Sequence, residues 1–91
     1  MEQELILIRI TGEDRPGLTA GFMAIMAKYD VDILDIGQAD IHSTLSLGIL
    51  IRTSSATSGQ VMKEALFKAT ELNVNVRFYP CLLYTSTSPR D

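Results

Sequence analysis

Ninety-one residues suffice for one hydrophobic core and not for two, because each half would fall below the size at which a core holds together unaided. A composition of 46% hydrophobic and 21% charged residues is that of a globular chain. No apolar run approaches the roughly 20 residues of a membrane span, and a formal charge of −3 offers no general attraction to a nucleic-acid backbone.

The single cysteine, Cys81, excludes an internal disulfide and a cysteine-rich metal site, so the fold must rest on packing. The N-terminal apolar run is preceded by acidic residues and interrupted too early for a secretory signal, which points to a cytoplasmic protein. Residues 4–11 (ELILIRIT) are apolar on both parities, Leu5 and Leu7 on one face and Ile6, Ile8 and Ile10 on the other, the pattern of a central strand. In residues 12–17 (GEDRPG), Asp14 is placed to cap a helix and Pro16 suits a first helical turn. Leu18, Phe22, Ile25, Met26 and Tyr29 then share one helical stripe, and the helix is expected to end near Asp30.

Residues 31–41 and 44–52 predict two strands joined at His42 and Ser43 in an antiparallel hairpin, with Leu45, Leu47, Ile49 and Ile51 alternating in the second. Residues 53–59 (TSSATSG) read as a polar connection. Val61, Met62, Ala65, Leu66, Ala69 and Leu72 mark a second amphipathic helix, and Val74, Val76 and Phe78 alternate in a last strand. The order βαββαβ predicts an α+β, ferredoxin-like fold: a four-stranded antiparallel sheet with two helices on one face. The opposite face is left without cover, and Leu34, Ile36 and Leu50 predict an apolar surface there that serves a dimer or an intramolecular neighbour. Residues 81–91 (CLLYTSTSPRD) abandon the alternation and read as a non-native or disordered tail on a domain spanning 1–80.

Several constellations invite chemistry and fall short of it. Asp30-Val31-Asp32 mimics the Asp-x-Asp nucleophile of haloacid-dehalogenase-like phosphatases, but it follows a helix and precedes a strand, whereas that motif sits at the exit of a buried strand. His42 and Asp40 offer two ligands in a turn where a metal wants three or four. Arg9, Arg52 and Arg77 lie on three different strands among acidic neighbours, with solvation as their expected role. Met26 and Met62 fall on the apolar helical stripes, as core filler does.

The run ITGEDRPGLTAGFMAIMAKYDVDILDIGQADI, followed by LSLGILI, resembles an ACT domain, and more narrowly is similar to the N-terminal ACT domain of bacterial-type phosphoserine phosphatases. The resemblance covers about residues 4–79 and rests most specifically on Asp14-Arg15-Pro16-Gly17-Leu18 with Val31-Asp32-Ile33 thirteen residues beyond. It implies a homodimer, an amino acid such as serine bound where domains meet, and allosteric regulation in serine biosynthesis. A catalytic domain that needs magnesium would lie C-terminal to such a domain, which itself carries no catalytic residue and no cofactor. By position, Asp14, Gly17 and Leu18 match the loop and helix start that cradle the ligand, and Asp32 matches the polar residue opening the second strand. Serine-sensing ACT domains of a dehydrogenase in the same pathway differ in being amide-rich at the two aspartate positions and in carrying a histidine where this chain has Gly12.

The chemistry of an α-amino acid fits those residues. A helix start at Gly17-Leu18 offers free N–H groups and a positive dipole end to the carboxylate, and Asp14 and Asp32 suit the ammonium. Each has a plainer role to set beside this. Asp14 as an N-cap would stabilise by roughly 0.5–2 kcal/mol without any ligand, and glycine is common at helix starts. Asp32 between Val31 and Ile33 is disfavoured in a strand, which favours a functional role. Two other functions share the fold: a ligand-independent dimerisation module, and a transcriptional regulator built only of ACT domains. Other ferredoxin-like activities lack their residues. A metal chaperone wants Cys-x-x-Cys, an RNA reader wants aromatics where Leu7, Ile8 and Ile49 stand, and an acylphosphatase loop would surround its arginine with Glu13 and Asp14.

Overall fold

A computed structural model describes residues 3–81. Strand β1 (Gln3–Glu13) leads to helix α1 (Leu18–Lys28), then to β2 (Asp32–Ile41), β3 (Thr44–Ser54), helix α2 (Ser55–Leu72) and β4 (Asn75–Cys81). The strands form one antiparallel sheet in the order β2-β3-β1-β4, the ferredoxin-like arrangement expected from the hydrophobic pattern.

The two most regular alternations make the centre of the sheet. Ile6, Ile8 and Ile10 of β1 pair with Ile51, Ile49 and Leu47 of β3, and all six are buried. Over them lie Leu18, Phe22, Ile25 and Met26 of α1 and Val61, Ala65 and Ala69 of α2. Each large apolar side chain so buried contributes on the order of 1.5–3 kcal/mol, which is where this small domain finds its stability. Small residues on α2, Ala65 and Ala69, are fully or almost fully covered and let that helix sit close to its neighbours.

Four boundaries differ from expectation. Strand β1 runs on to Glu13 because Gly12 and Glu13 still pair with Leu45 and Thr44. Helix α1 starts from Gly17 in a left-handed conformation (φ 82°), with no side-chain cap. Asp14 is therefore not the cap: its backbone N–H donates to the Ser43 carbonyl at 3.0 Å and ties the loop to the β2–β3 hairpin. The polar connection at 53–59 does not exist. Thr53 is buried within β3, and Ser54 ends the strand and caps α2 directly, its hydroxyl accepting the Thr57 N–H at 3.3 Å. At the other end β4 includes Cys81, one residue past the expected domain limit, and the expected tail at 82–91 lies outside the described residues.

Strands β2 and β4 are the two edges of the sheet, and β2 is the more exposed. All ten of its residues are solvent-accessible, while α2 packs over β1, β3 and β4. A bulge between Ile33 and Asp35 resets its parity, so that Ile33 and Ile36 face the same side as Ile51 and Ile49. Ile36 thus lies on the helix side of the sheet, beyond the helices' cover, and not on the open face. The open face itself is mixed: Leu5, Leu7 and Leu50 share it with Arg9, Arg52 and Arg77. The broad apolar surface expected there is replaced by a small apolar centre with charged surroundings.

Candidate functional site

The end of β1, the 14–17 loop, the first turn of α1 and the β2–β3 hairpin meet at one end of the sheet. Gly17 has φ 82°, a region that L side chains rarely adopt, while a Cβ there would meet nothing within 4 Å. The glycine is thus needed for its backbone conformation, and the space over it is open. Leu18 is 1% exposed and anchors the helix start in the core, so it presents neither side chain nor backbone to the open space.

The first turn of α1 carries no acidic residue. The Leu18 N–H is taken by the Arg15 carbonyl at 3.2 Å and the Gly21 N–H by the Gly17 carbonyl at 2.9 Å, which leaves those of Thr19 and Ala20 at the open helix start. In the loop before that helix start, the exposed Asp14 carboxylate has no hydrogen-bond or ion-pair partner among the described residues. Arg15 and Glu13 form a loose, exposed pair at 3.9 Å. One side of the loop is closed by Val74: a Cβ on Gly12 would lie 2.6 Å from Val74 Cγ1. There is accordingly no room for a histidine at position 12 with this backbone.

Asp32 is at the other end of the sheet. It opens β2, opposite Arg52 of β3, whose Nη2 donates to its Oδ2 at 3.2 Å. This cross-strand ion pair gives an aspartate in a strand a plain structural role. Nine residues of extended chain, roughly 30 Å at the usual rise per residue, separate it from the hairpin that holds Asp14. A single copy therefore unites Asp14, Gly17 and Leu18 and leaves Asp32 apart.

Ser43 and Val74, which hold and wall the loop, went unnoticed in the sequence. Only the turn position of Ser43 hinted at it, and Val74 gave no signal. The remaining constellations stay chemically quiet. Asp30 is in a left-handed turn (φ 55°) after α1, and its partner in the Asp-x-Asp run is the ion-paired Asp32. His42 is an exposed turn residue with φ 60°. Among the described residues no three or more His, Cys, Asp or Glu side chains converge as a metal site would require. On the helical layer, Glu64 of α2 accepts hydrogen bonds from Lys28 Nζ at 2.8 Å and from the Tyr29 hydroxyl. These bonds, that of Lys28 foremost, hold the Glu64 carboxyl below its ordinary range and raise the Lys28 ammonium and the Tyr29 phenol above theirs.

The sequence profile of the ACT domain matches residues 4–79. The chain belongs to the ACT domain family. Over 78 residues the domain is 31% identical to a UPF0237 protein of Pyrobaculum aerophilum, an alignment that takes in 84% of this chain and 87% of that protein. Over 46 residues it is 37% identical to a phosphoserine phosphatase of Mycobacterium tuberculosis and 41% identical to one of Streptomyces coelicolor. Those matches take in 50% of this chain and only 11% of each phosphatase. Among solved structures, an ACT domain protein from Streptococcus pneumoniae superimposes with a TM-score of 0.72 at 18% identity, covering 96% of this chain and 98% of that one. A putative glycine cleavage system transcriptional repressor reaches 0.83 at 20% identity, covering 100% of this chain and 50% of that one. Both likenesses are in fold. Among the described residues of the ACT domain, no helix is long and apolar enough to cross a membrane.

Proposed function

We propose that this ACT domain is a regulatory amino-acid-binding module that works in the cytoplasm as a dimer, with serine the first ligand to test. The loop after β1 carries the reading: the open Thr19 and Ala20 N–H groups, the clear space over Gly17 and the unpartnered Asp14 carboxylate belong to one loop and the helix start that follows it. A zwitterion fits such a place, carboxylate towards the helix start and ammonium towards the aspartate.

The uncovered β2 supports the dimer. An edge strand presents unpaired backbone N–H and C=O groups to any second strand, and this one is exposed over ten residues with Ile33, Leu34 and Ile36 along it. A second copy pairing antiparallel across β2 runs in the reverse direction, so its Asp32 arrives at the end where Asp14 stands. The site would then be composite, with Asp14 and the helix start from one copy and Asp32 from the other, which accounts for the separation of the two aspartates in a single copy. Arg52 engages one oxygen of Asp32, and the other is the one offered to the ligand.

The match to phosphoserine phosphatases supports a place in serine metabolism, ahead of a phosphatase domain, with serine acting as a product signal. The longer match to a UPF0237 protein supports a regulator that is ACT domain throughout, the second reading. Thermal unfolding with serine, glycine and other amino acids tests the shared core of both. Ligand at 100 times its dissociation constant stabilises by about 2.7 kcal/mol, and each kcal/mol moves the midpoint of a domain this size by roughly 4–8 °C. A serine-selective rise that Asp14→Ala removes is the expected result. A stable dimer whose midpoint no amino acid moves would leave only an association module.

A further inference from the structure

The open face of the sheet holds two arginines that the amino-acid site does not use. Arg9 of β1 and Arg77 of β4 are directly opposite one another, both exposed and on the same face. Cα atoms of such partners lie about 5 Å apart, and like charges so opposed destabilise a sheet. Neither arginine has an ion-pair partner among the described residues. The carboxylates that share the face are engaged elsewhere. Asp32 pairs with Arg52, Glu13 with Arg15, and Asp35 accepts the N–H of Ile36 at 3.0 Å. In a chain of net charge −3, two positive charges thus stand side by side without an ion-pair partner among the described residues.

Next to Arg9 the surface is shaped as well as charged. Gly37 of β2 faces Gly48 of β3, and Gly48 in turn faces Arg9. The missing side chains leave a shallow depression of about 280 Å³ floored by Gly37 and Gly48 and bordered by Leu7, Arg9, Ala39 and Ser46.

We propose that Arg9 and Arg77 together bind a divalent oxyanion on the open face of the sheet, the phosphate or dicarboxylate group of a small ligand whose body lies in the depression over Gly48. A guanidinium presents a planar fork of donors that matches carboxylate and phosphate oxygens. Two forks converging on one dianion remove the repulsion between the arginines as well as making new bonds, which a single surface arginine cannot do. The site shares no residue with the loop at Asp14 and stands or falls independently of the amino-acid reading.

Thermal unfolding at constant ionic strength, with inorganic phosphate, pyrophosphate or malonate replacing chloride in the millimolar range, tests this, together with backbone amide NMR of the unmodified chain. The midpoint is expected to rise by several degrees with one of these multivalent anions, and amide shifts are expected to cluster at Arg9, Gly48 and Arg77. A response to phosphate or pyrophosphate alone identifies a phosphorylated ligand, a response to malonate alone identifies a dicarboxylate, and equal responses identify a site that reads the charge of the oxyanion and not its chemistry. The Arg9→Gln, Arg77→Gln double variant should lose the rise, and Arg77→Gln alone should raise the midpoint of the unliganded protein at low salt. General salting effects of these anions act on variant and parent alike. An equal rise in the double variant, or neither a midpoint change nor shifts at those amides in the parent, would overturn the proposal.

Discussion

Replacing Gly12 with alanine probes the wall of the 14–17 loop directly. The added Cβ would stand 2.6 Å from Val74 Cγ1, 2.9 Å from its Cβ and 3.1 Å from its Cα. Carbon atoms rest at about 3.5–4.0 Å, so Val74 must withdraw by up to roughly an ångström. A rotamer change cannot supply that, because Cβ and Cα are among the crowded atoms. The Val74 backbone is itself held by its N–H bond to the Ala69 carbonyl at 2.9 Å, part of the end of α2. Overpacking of this kind costs about 1–3 kcal/mol, and at roughly 4–8 °C per kcal/mol the midpoint should fall clearly. Circular dichroism of Gly12→Ala, Val74→Ala and the double variant completes a cycle. Val74→Ala removes Cγ1, the nearest atom, and leaves the other two, so Gly12→Ala should cost less in that background by about 0.5 kcal/mol or more. A Gly12→Ala protein within about 0.5 kcal/mol of the parent, or an equal cost in both backgrounds, would refute the close approach.

Two further outcomes follow from the surface. The Glu64 carboxyl is held below its ordinary range in the folded state, so its contribution is complete above the unfolded value and disappears as pH falls through the folded one. Glu64→Gln should therefore lower the midpoint at neutral pH and approach the parent under acid, and parallel pH profiles would contradict this. Ile36→Lys places a charge on the uncovered edge strand at a residue 45% exposed. The folded monomer should tolerate it, while sedimentation should show a shift from dimer to monomer; an unchanged dimer would move the interface away from β2.

The sequence spelled out what depends on short-range pattern. Leu45, Leu47, Ile49 and Ile51 alternate, and all four are buried; Leu18, Phe22, Ile25 and Met26 keep helical spacing and cover them. What depends on contacts between distant segments was hidden. Asp14 and Gly17 are both acceptable helix starters, and the choice between them follows from the bond of the Asp14 N–H to Ser43, which no local pattern records. Residues 53–59 look like a loop because their polarity outweighs the burial of Thr53, which appears only once β1 lies beside β3. The bulge at Ile33 and Asp35 reverses the parity of the rest of β2, so simple alternation places Ile36 on the wrong face. At the site, Asp14, Gly17 and Leu18 are neighbours in sequence and were legible as one unit. The Asp32–Arg52 pair and the opposition of Arg9 and Arg77 arise from strand register, and three arginines scattered in sequence gave no sign of it.

The composite amino-acid site is tested most directly by mixing two inactive variants. Asp14→Ala and Asp32→Ala each disable both sites of a dimer in which every site takes Asp14 from one copy and Asp32 from the other. In a mixed dimer one site has lost both aspartates and the other has regained both. After random exchange of equal amounts, half of the dimers are mixed, and calorimetry with serine should recover about a quarter of the parent's sites at parental affinity, as follows for an interface in which the same patch serves both copies. Serine binding that each variant lacks alone and the mixture still lacks, with exchange verified by mass, would contradict a site shared across β2.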